Sequence, residues 1–236
     1  MIELFQLTVA KRVLAGALHL PAGRQSTPWV VLCHGLFSSM ASEKFTALAE
    51  LLSQSGIAAL RFDFSGCGAS TGTIANTTVS RRLQELEAVV RFAGNHTALS
   101  RDCALMGSSL GGFVVLLFAK DRSIKALSLW ATPYDLATIK DNIPSQDLQR
   151  LKPDFFTDAG GYQLDLYQTD IPMQIIHGTC DEIVPVHHAD RLYKKNDPRH
   201  QCVIIPDADH SISNPQHRKI ALDASVRWFK QQLNNN

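Results

Sequence analysis

Residues 104–113 read ALMGSSLGGF, two adjacent serines between glycines with apolar runs on either side. A nucleophile presented between a strand and a helix sits on a sharp turn with strained backbone dihedrals. Such a turn presses the residues two before and two after it against neighbouring chain. Those flanks have to be small. Centring the turn on Ser109 places Gly107 and Gly111 there, in the pattern G-x-S-x-G; centring it on Ser108 places Met106 and Leu110 there, which would clash. Ser109 is therefore the candidate nucleophile, and Ser108 a small filler beside it. This reading requires a strand before the turn and a helix after it, and CALM (103–106) and GGFVVLLFAK (111–120) supply both.

The same alternation extends outward. WVVLC (29–33), IAALRF (57–62), IKALSLWA (124–131), MQIIHG (173–178) and QCVIIP (201–206) are short apolar runs of strand length. Between them, Phe45, Leu48, Leu51 and Leu52 recur at helical spacing before Gly56, and Leu83, Leu86, Val89 and Val90 mark one side of a second helix. A last helix ends in RWFKQQL at 233. Ahead of this repeat, IELFQLTV (2–9) and RVLAGALHL (12–20) flank Ala10 and Lys11 as an antiparallel hairpin. The expectation is an α/β fold, a mostly parallel sheet of about eight strands with an N-terminal antiparallel hairpin and helices on both faces. In such sheets, sites form at the carboxyl ends of strands.

Composition narrows the function. The chain has 236 residues, 45% of them hydrophobic, and reads as a single domain over 1–236 with a sizeable core. Its 23 basic and 22 acidic residues nearly cancel, which disfavours nucleic acid and anionic membrane as partners and favours a small molecule. The start MIELFQLTVAKRV lacks the features of a signal peptide and no apolar run reaches the length of a membrane span, so the expectation is a soluble cytoplasmic protein. The cysteines (Cys33, Cys67, Cys103, Cys180, Cys202) are odd in number and without CxxC spacing, and read as buried thiols rather than disulfides or a zinc site.

A serine hydroxyl needs a base to take its proton and a carboxylate to orient that base. His210, in IIPDADHSIS just past an apolar strand, is the candidate base, and Asp181, in MQIIHGTCDEIVP, the candidate carboxylate, with Asp135 a weaker substitute. Asp207 and Asp209 are expected to cap the turn that holds His210, Glu182 to point elsewhere, and His34 and His177 to serve turn structure. The order Ser109, Asp181, His210 is the one this kind of sheet calls for. Charge developing on an attacked carbonyl oxygen needs backbone donors: Leu110, at the start of the helix after the turn, and Leu36, in the loop after WVVLCHG. The stretch 132–170 is longer than a normal connection and reads as a lid or cap insertion, with Phe155, Phe156, Tyr162 and Tyr167 as pocket or packing aromatics.

With HGL at 34–36, RFDFSGCGAST at 61–71, GSSLGG at 107–112, HGTCDEIVP at 177–185 and DADH at 207–210, the chain resembles the α/β-hydrolase superfamily over nearly its whole length. It looks most like small bacterial esterases of the cinnamoyl esterase and serine aminopeptidase-like branch. The resemblance implies a Ser/Asp/His hydrolase acting on carboxylic esters, with no metal and no organic cofactor. It departs from the dienelactone hydrolases, which carry cysteine at the nucleophile, and its insertion is short beside many family lids. An acyl thioesterase uses the same triad and is the alternative enzyme; a binding module on the same scaffold is the non-enzymatic one.

Overall fold

The computed structural model describes residues 1–23, 26–120, 122–164 and 170–233; Tyr167 and the terminal Asn234, Asn235 and Asn236 lie outside them. The strands are β1 (Ile2–Val9), β2 (Arg12–His19), β3 (Thr27–Cys33), β4 (Ala58–Phe62), β5 (Leu99–Ser108), β6 (Leu127–Trp130), β7 (Met173–Gly178) and β8 (His200–Ile205). The helices are α1 (Glu43–Gln54), α2 (Val79–Gly94), α3 (Leu110–Ala119), α4 (Ser145–Leu148), α5 (Pro153–Ala159), α6 (His187–Leu192) and α7 (Pro215–Leu233). They make the α/β-hydrolase architecture expected from the motifs.

The strands form one eight-stranded sheet in the order β1-β2-β4-β3-β5-β6-β7-β8. β1, β2 and β4 pair antiparallel, Gly16 opposite Phe5 and Phe62, and every other pairing is parallel. The β1–β2 hairpin turns on Ala10 and Lys11, both at positive φ, as a two-residue turn between twisted strands requires. From β3 the chain first runs outward to β4, then returns to place β5 on the other side of β3. The loops after β3 and β5 therefore diverge from the same point on the sheet and leave a crevice between them.

Two apolar layers cover the sheet. Val79, Leu86 and Val89 of α2 pack with Phe113 and Val114 of α3 on one face; Phe45 and Leu48 of α1 pack with Trp228 and Phe229 of α7 on the other. Every residue of α3 is buried, as its uninterrupted apolar sequence dictates. Helix α2 departs from the stripe read in the sequence: Leu83 and Val90 are only half-buried, while Arg82 and Glu85 are fully buried on its inner face. An amphipathic count assigns charged residues to the wet side. Here the two find polar partners beneath the helix. The cysteines differ too: Cys33, Cys67 and Cys103 are buried, but Cys180, in the turn after β7, is exposed.

Candidate active site

The turn that carries Ser109 is one residue wide. β5 ends at Ser108, α3 begins at Leu110, and Ser109 between them has φ 54° and ψ −127°, a strained conformation for a side chain with a Cβ. Its amide donates to the Trp130 carbonyl at the end of β6 (2.8 Å), and its carbonyl accepts from the Gly112 amide (2.9 Å). A Cβ on Gly107 would stand 2.4 Å from the Gly111 carbonyl oxygen, and one on Gly111 would stand 2.2 Å from that of Cys33. Both flanks are glycine because backbone lies against them.

His210 reaches the serine from the far edge of the sheet. It rides on the loop after β8, where Asp207 and Ile212 both take positive φ. Asp209 accepts from the amide and hydroxyl of Ser213 and so closes that loop, as expected. His210 Nε2 is 3.0 Å from Ser109 Oγ, and Nδ1 is 2.9 Å from both carboxylate oxygens of Asp181. Asp135, the weaker candidate, instead accepts from the Ala137 amide. Glu182 does not point away: its Oε2 accepts from the His210 amide (3.3 Å) and steadies the loop.

Asp181 follows β7 and its side chain is fully enclosed. Its Oδ1 accepts from the amides of Ile183 (3.0 Å) and Val184 (2.7 Å), and its Oδ2 lies 3.2 Å from Nε2 of the buried His177. Burial works against the charged carboxylate, but hydrogen bonds from His177, His210 and the Val184 amide outweigh it and hold the group well below the usual carboxylate range. An ionised Asp181 takes the Nδ1 proton of His210 as its donor, which leaves Nε2 as the acceptor facing the Ser109 hydroxyl. His177 thus does more than shape a turn. Only its spacing to Asp181, four residues along HGTCD, could have indicated this.

Gly35 and Leu36 follow β3 and pass directly beside the elbow; a Cβ built on Gly35 would lie 3.7 Å from Ser109 Oγ. Among the described residues neither the Leu36 nor the Leu110 amide has a protein acceptor. Lys44, near the start of α1, donates through Nζ to Ser108 Oγ (2.9 Å) and faces the carbonyl of Ser211 (3.5 Å), which links the elbow to the histidine loop. Burial pushes its ammonium down to about 8. Ser108 is therefore a hydrogen-bonded anchor as well as a small residue.

A cavity of about 1000 Å³ opens on Ser109 and His210 and is roofed by residues between positions 134 and 164, after β6. Leu136, Ile143, Phe155, Phe156, Tyr162 and Ile183 give it an apolar lining. Phe155 also belongs to the core, and the Tyr162 hydroxyl lies 2.8 Å from Ser80 Oγ on α2, so these aromatics pack the insertion onto the body and line the cavity together.

The sheet order, the elbow and its neighbours define an α/β hydrolase. Within that class, residues 24–151 match the family described as serine aminopeptidase, S33, and the chain belongs to that family. Among curated proteins it is similar to the mitochondrial palmitoyl-protein thioesterase ABHD10 of Rattus norvegicus, 25% identical over 232 residues, 86% of this chain and 73% of the relative. The Bos taurus counterpart is 26% identical over 68% of this chain, which spans 59% of that protein's length. Among solved structures it is similar to Est1E of Butyrivibrio proteoclasticus with bound ferulic acid, with a TM-score of 0.86 at 24% identity over 98% of this chain and 100% of the other. Among the described residues no helix is long and apolar enough to cross a membrane.

Proposed function

We propose that this chain is a serine hydrolase that cleaves carboxylic esters of small or medium acyl groups. The relay from Asp181 through His210 to Ser109, at 2.9 and 3.0 Å on a strained elbow, carries the reading. In the proposed reaction Ser109 Oγ attacks the ester carbonyl carbon while its proton passes to His210 Nε2, and the ionised Asp181 stabilises the resulting imidazolium. The Leu36 and Leu110 amides donate to the oxyanion, a term for which each donor is worth about 100 to 1,000-fold in rate. Collapse of the tetrahedral intermediate expels the alcohol with the His210 proton. Water, deprotonated by His210, then attacks the acyl-enzyme and releases the acid.

Cleavage of acyl thioesters is the second reading. The relative named as a palmitoyl-protein thioesterase favours it, together with an apolar cavity at the large end of the range for small-molecule sites. The insertion over 132–170 acts as the cap of the acyl site in either case.

Labelling with a fluorophosphonate, followed by peptide mass spectrometry, tests the nucleophile. The adduct is expected on Ser109 and is lost in His210→Ala. Ser109→Ala is expected to lower turnover of p-nitrophenyl esters by roughly 10⁴ to 10⁶-fold without lowering the melting temperature. A folded Ser109→Ala protein that keeps turnover within about tenfold of wild type overturns the assignment, and a native protein that neither labels nor turns over ester or acyl-CoA favours a binding module.

A further inference from the structure

Arg82 is a fully buried cation directly beneath the loop after β3. Its Nη1 donates to the carbonyls of His34 (3.3 Å) and Gly35 (3.2 Å), and its Nη2 to the carbonyl of Leu36 (3.1 Å) and to Cys67 Sγ (3.9 Å). Nε is anchored by Thr77 Oγ1 (3.1 Å), and the guanidinium lies over the Phe64 ring at 4.5 Å. No carboxylate of the described residues is within ion-pair distance; Glu85, one turn along α2, is engaged by Arg12 (3.1 Å) and the Ser65 amide (3.0 Å). Burying a guanidinium without a carboxylate partner is costly, and an apolar side chain of similar length could join α2 to the sheet but would take its donors away from the loop carbonyls of His34, Gly35 and Leu36. What the guanidinium alone provides is a planar fork that holds three consecutive carbonyls.

The orientation of those carbonyls has a chemical consequence. In a trans peptide the C=O and the following N–H point in opposite directions. The Gly35 carbonyl is held by Arg82 and also by His34 Nδ1 (2.8 Å), since His34 Nε2 accepts from the Phe64 amide (3.0 Å) and the proton is therefore on Nδ1. Burial and the Arg82 charge push His34 down to about 3, so its ring stays neutral. With its carbonyl doubly held on the buried side, the Gly35–Leu36 peptide turns the Leu36 N–H towards the cavity that Leu36 lines, beside Ser109. A flipped peptide would instead present a carbonyl oxygen where negative charge develops.

We infer that Arg82 is a positioning residue for the oxyanion site: its fork fixes the three carbonyls of His34, Gly35 and Leu36 so that the Leu36 amide faces the reacting carbonyl before substrate arrives. The inference rests on the hydrolase reading above. Pre-set donors act in the transition state rather than in substrate binding, so the effect belongs in kcat. In Arg82→Met, kcat for a p-nitrophenyl ester is expected to fall about 100-fold, with KM unchanged within about threefold. Affinity for an aryl trifluoromethyl ketone, whose adduct with Ser109 carries an oxyanion, falls by the same factor as kcat.

Arg82→Lys keeps the charge without the fork and is expected to lose about tenfold in kcat, and Thr77→Val, which frees only the Nε anchor, roughly threefold to tenfold. These two milder variants decide the matter if Arg82→Met does not fold. Folded Arg82→Lys and Thr77→Val proteins with wild-type kcat, or a fall in kcat that the ketone affinity does not follow, overturn the role of Arg82 while Ser109→Ala still abolishes turnover. Should Ser109→Ala leave turnover intact, the hydrolase reading falls and the role of Arg82 falls with it.

Discussion

Asp181 is a carboxylate enclosed by protein, and its neighbours determine its charge. Two amides and two imidazoles converge on it, so it stays ionised where burial alone would neutralise it. Replacing it by Asn removes the group that fixes the His210 tautomer, and kcat is expected to fall about 10⁴-fold. The same substitution has a signature in stability. A carboxylate whose pKa is depressed on folding stabilises the native state above its unfolded value, about 3.9, and that contribution is lost as pH falls towards the lower folded value. The stability gap between wild type and Asp181→Asn, measured by urea unfolding between pH 2.5 and 7, should be constant above about pH 5 and narrow below pH 4. A gap that stays constant down to pH 2.5 would show that the carboxylate gains nothing from its setting. The two amides were not legible as its partners, and His177 left only its four-residue spacing as a sign, because the turn after β7 is what brings each of them to the carboxylate.

At the scale of the element, the strand, turn and helix around Ser109 behave as one piece. α3 can begin immediately after β5 only because its first turn lies on the backbone of Cys33 and His34, with no room for a methyl group at Gly111. Gly111→Ala is expected to destabilise the protein by about 1 to 3 kcal/mol, which for a chain of this size lowers the melting temperature by roughly 2 to 12 °C. Fluorophosphonate labelling should slow as well, since α3 must shift and carries the Leu110 amide with it; an unchanged melting temperature would mean that the helix gives way freely. This unit was legible because its constraint is local, five residues in one pattern between two apolar runs. Helix α2 was legible only in part. Its periodicity marked the helix and its buried Leu86 and Val89, with Leu83 and Val90 half-buried beside them, but nothing within the helix reveals that Arg82 meets three carbonyls from a loop 46 to 48 residues earlier. An apolar pattern reports what a helix can bury in hydrocarbon, not what polar partners lie beneath it.

At the scale of the whole molecule, the sheet brings together residues far apart in the chain. Ser109 and His210 are separated by 101 positions, yet their loops leave the carboxyl ends of parallel strands, β5 and β8, in one sheet. The order of the motifs made that meeting legible, whereas the roof of the cavity was not: the insertion after β6 carries no periodicity that would set which aromatics face inward. Ala159, at the end of α5, is buried and lines the cavity in that roof. Ala159→Trp should fill space that an extended acyl chain needs and a short one does not. We expect kcat/KM for an octanoyl ester to drop at least about tenfold while that for the acetyl ester changes little, because an apolar pocket discriminates through the methylenes it can accommodate. The ratio of the two, measured with matched p-nitrophenyl esters, separates occlusion of the acyl site from general damage. If both esters lose activity equally, the insertion supports the fold rather than the acyl chain; if neither does, the acyl group lies elsewhere and the chain length it accepts is not set by this roof.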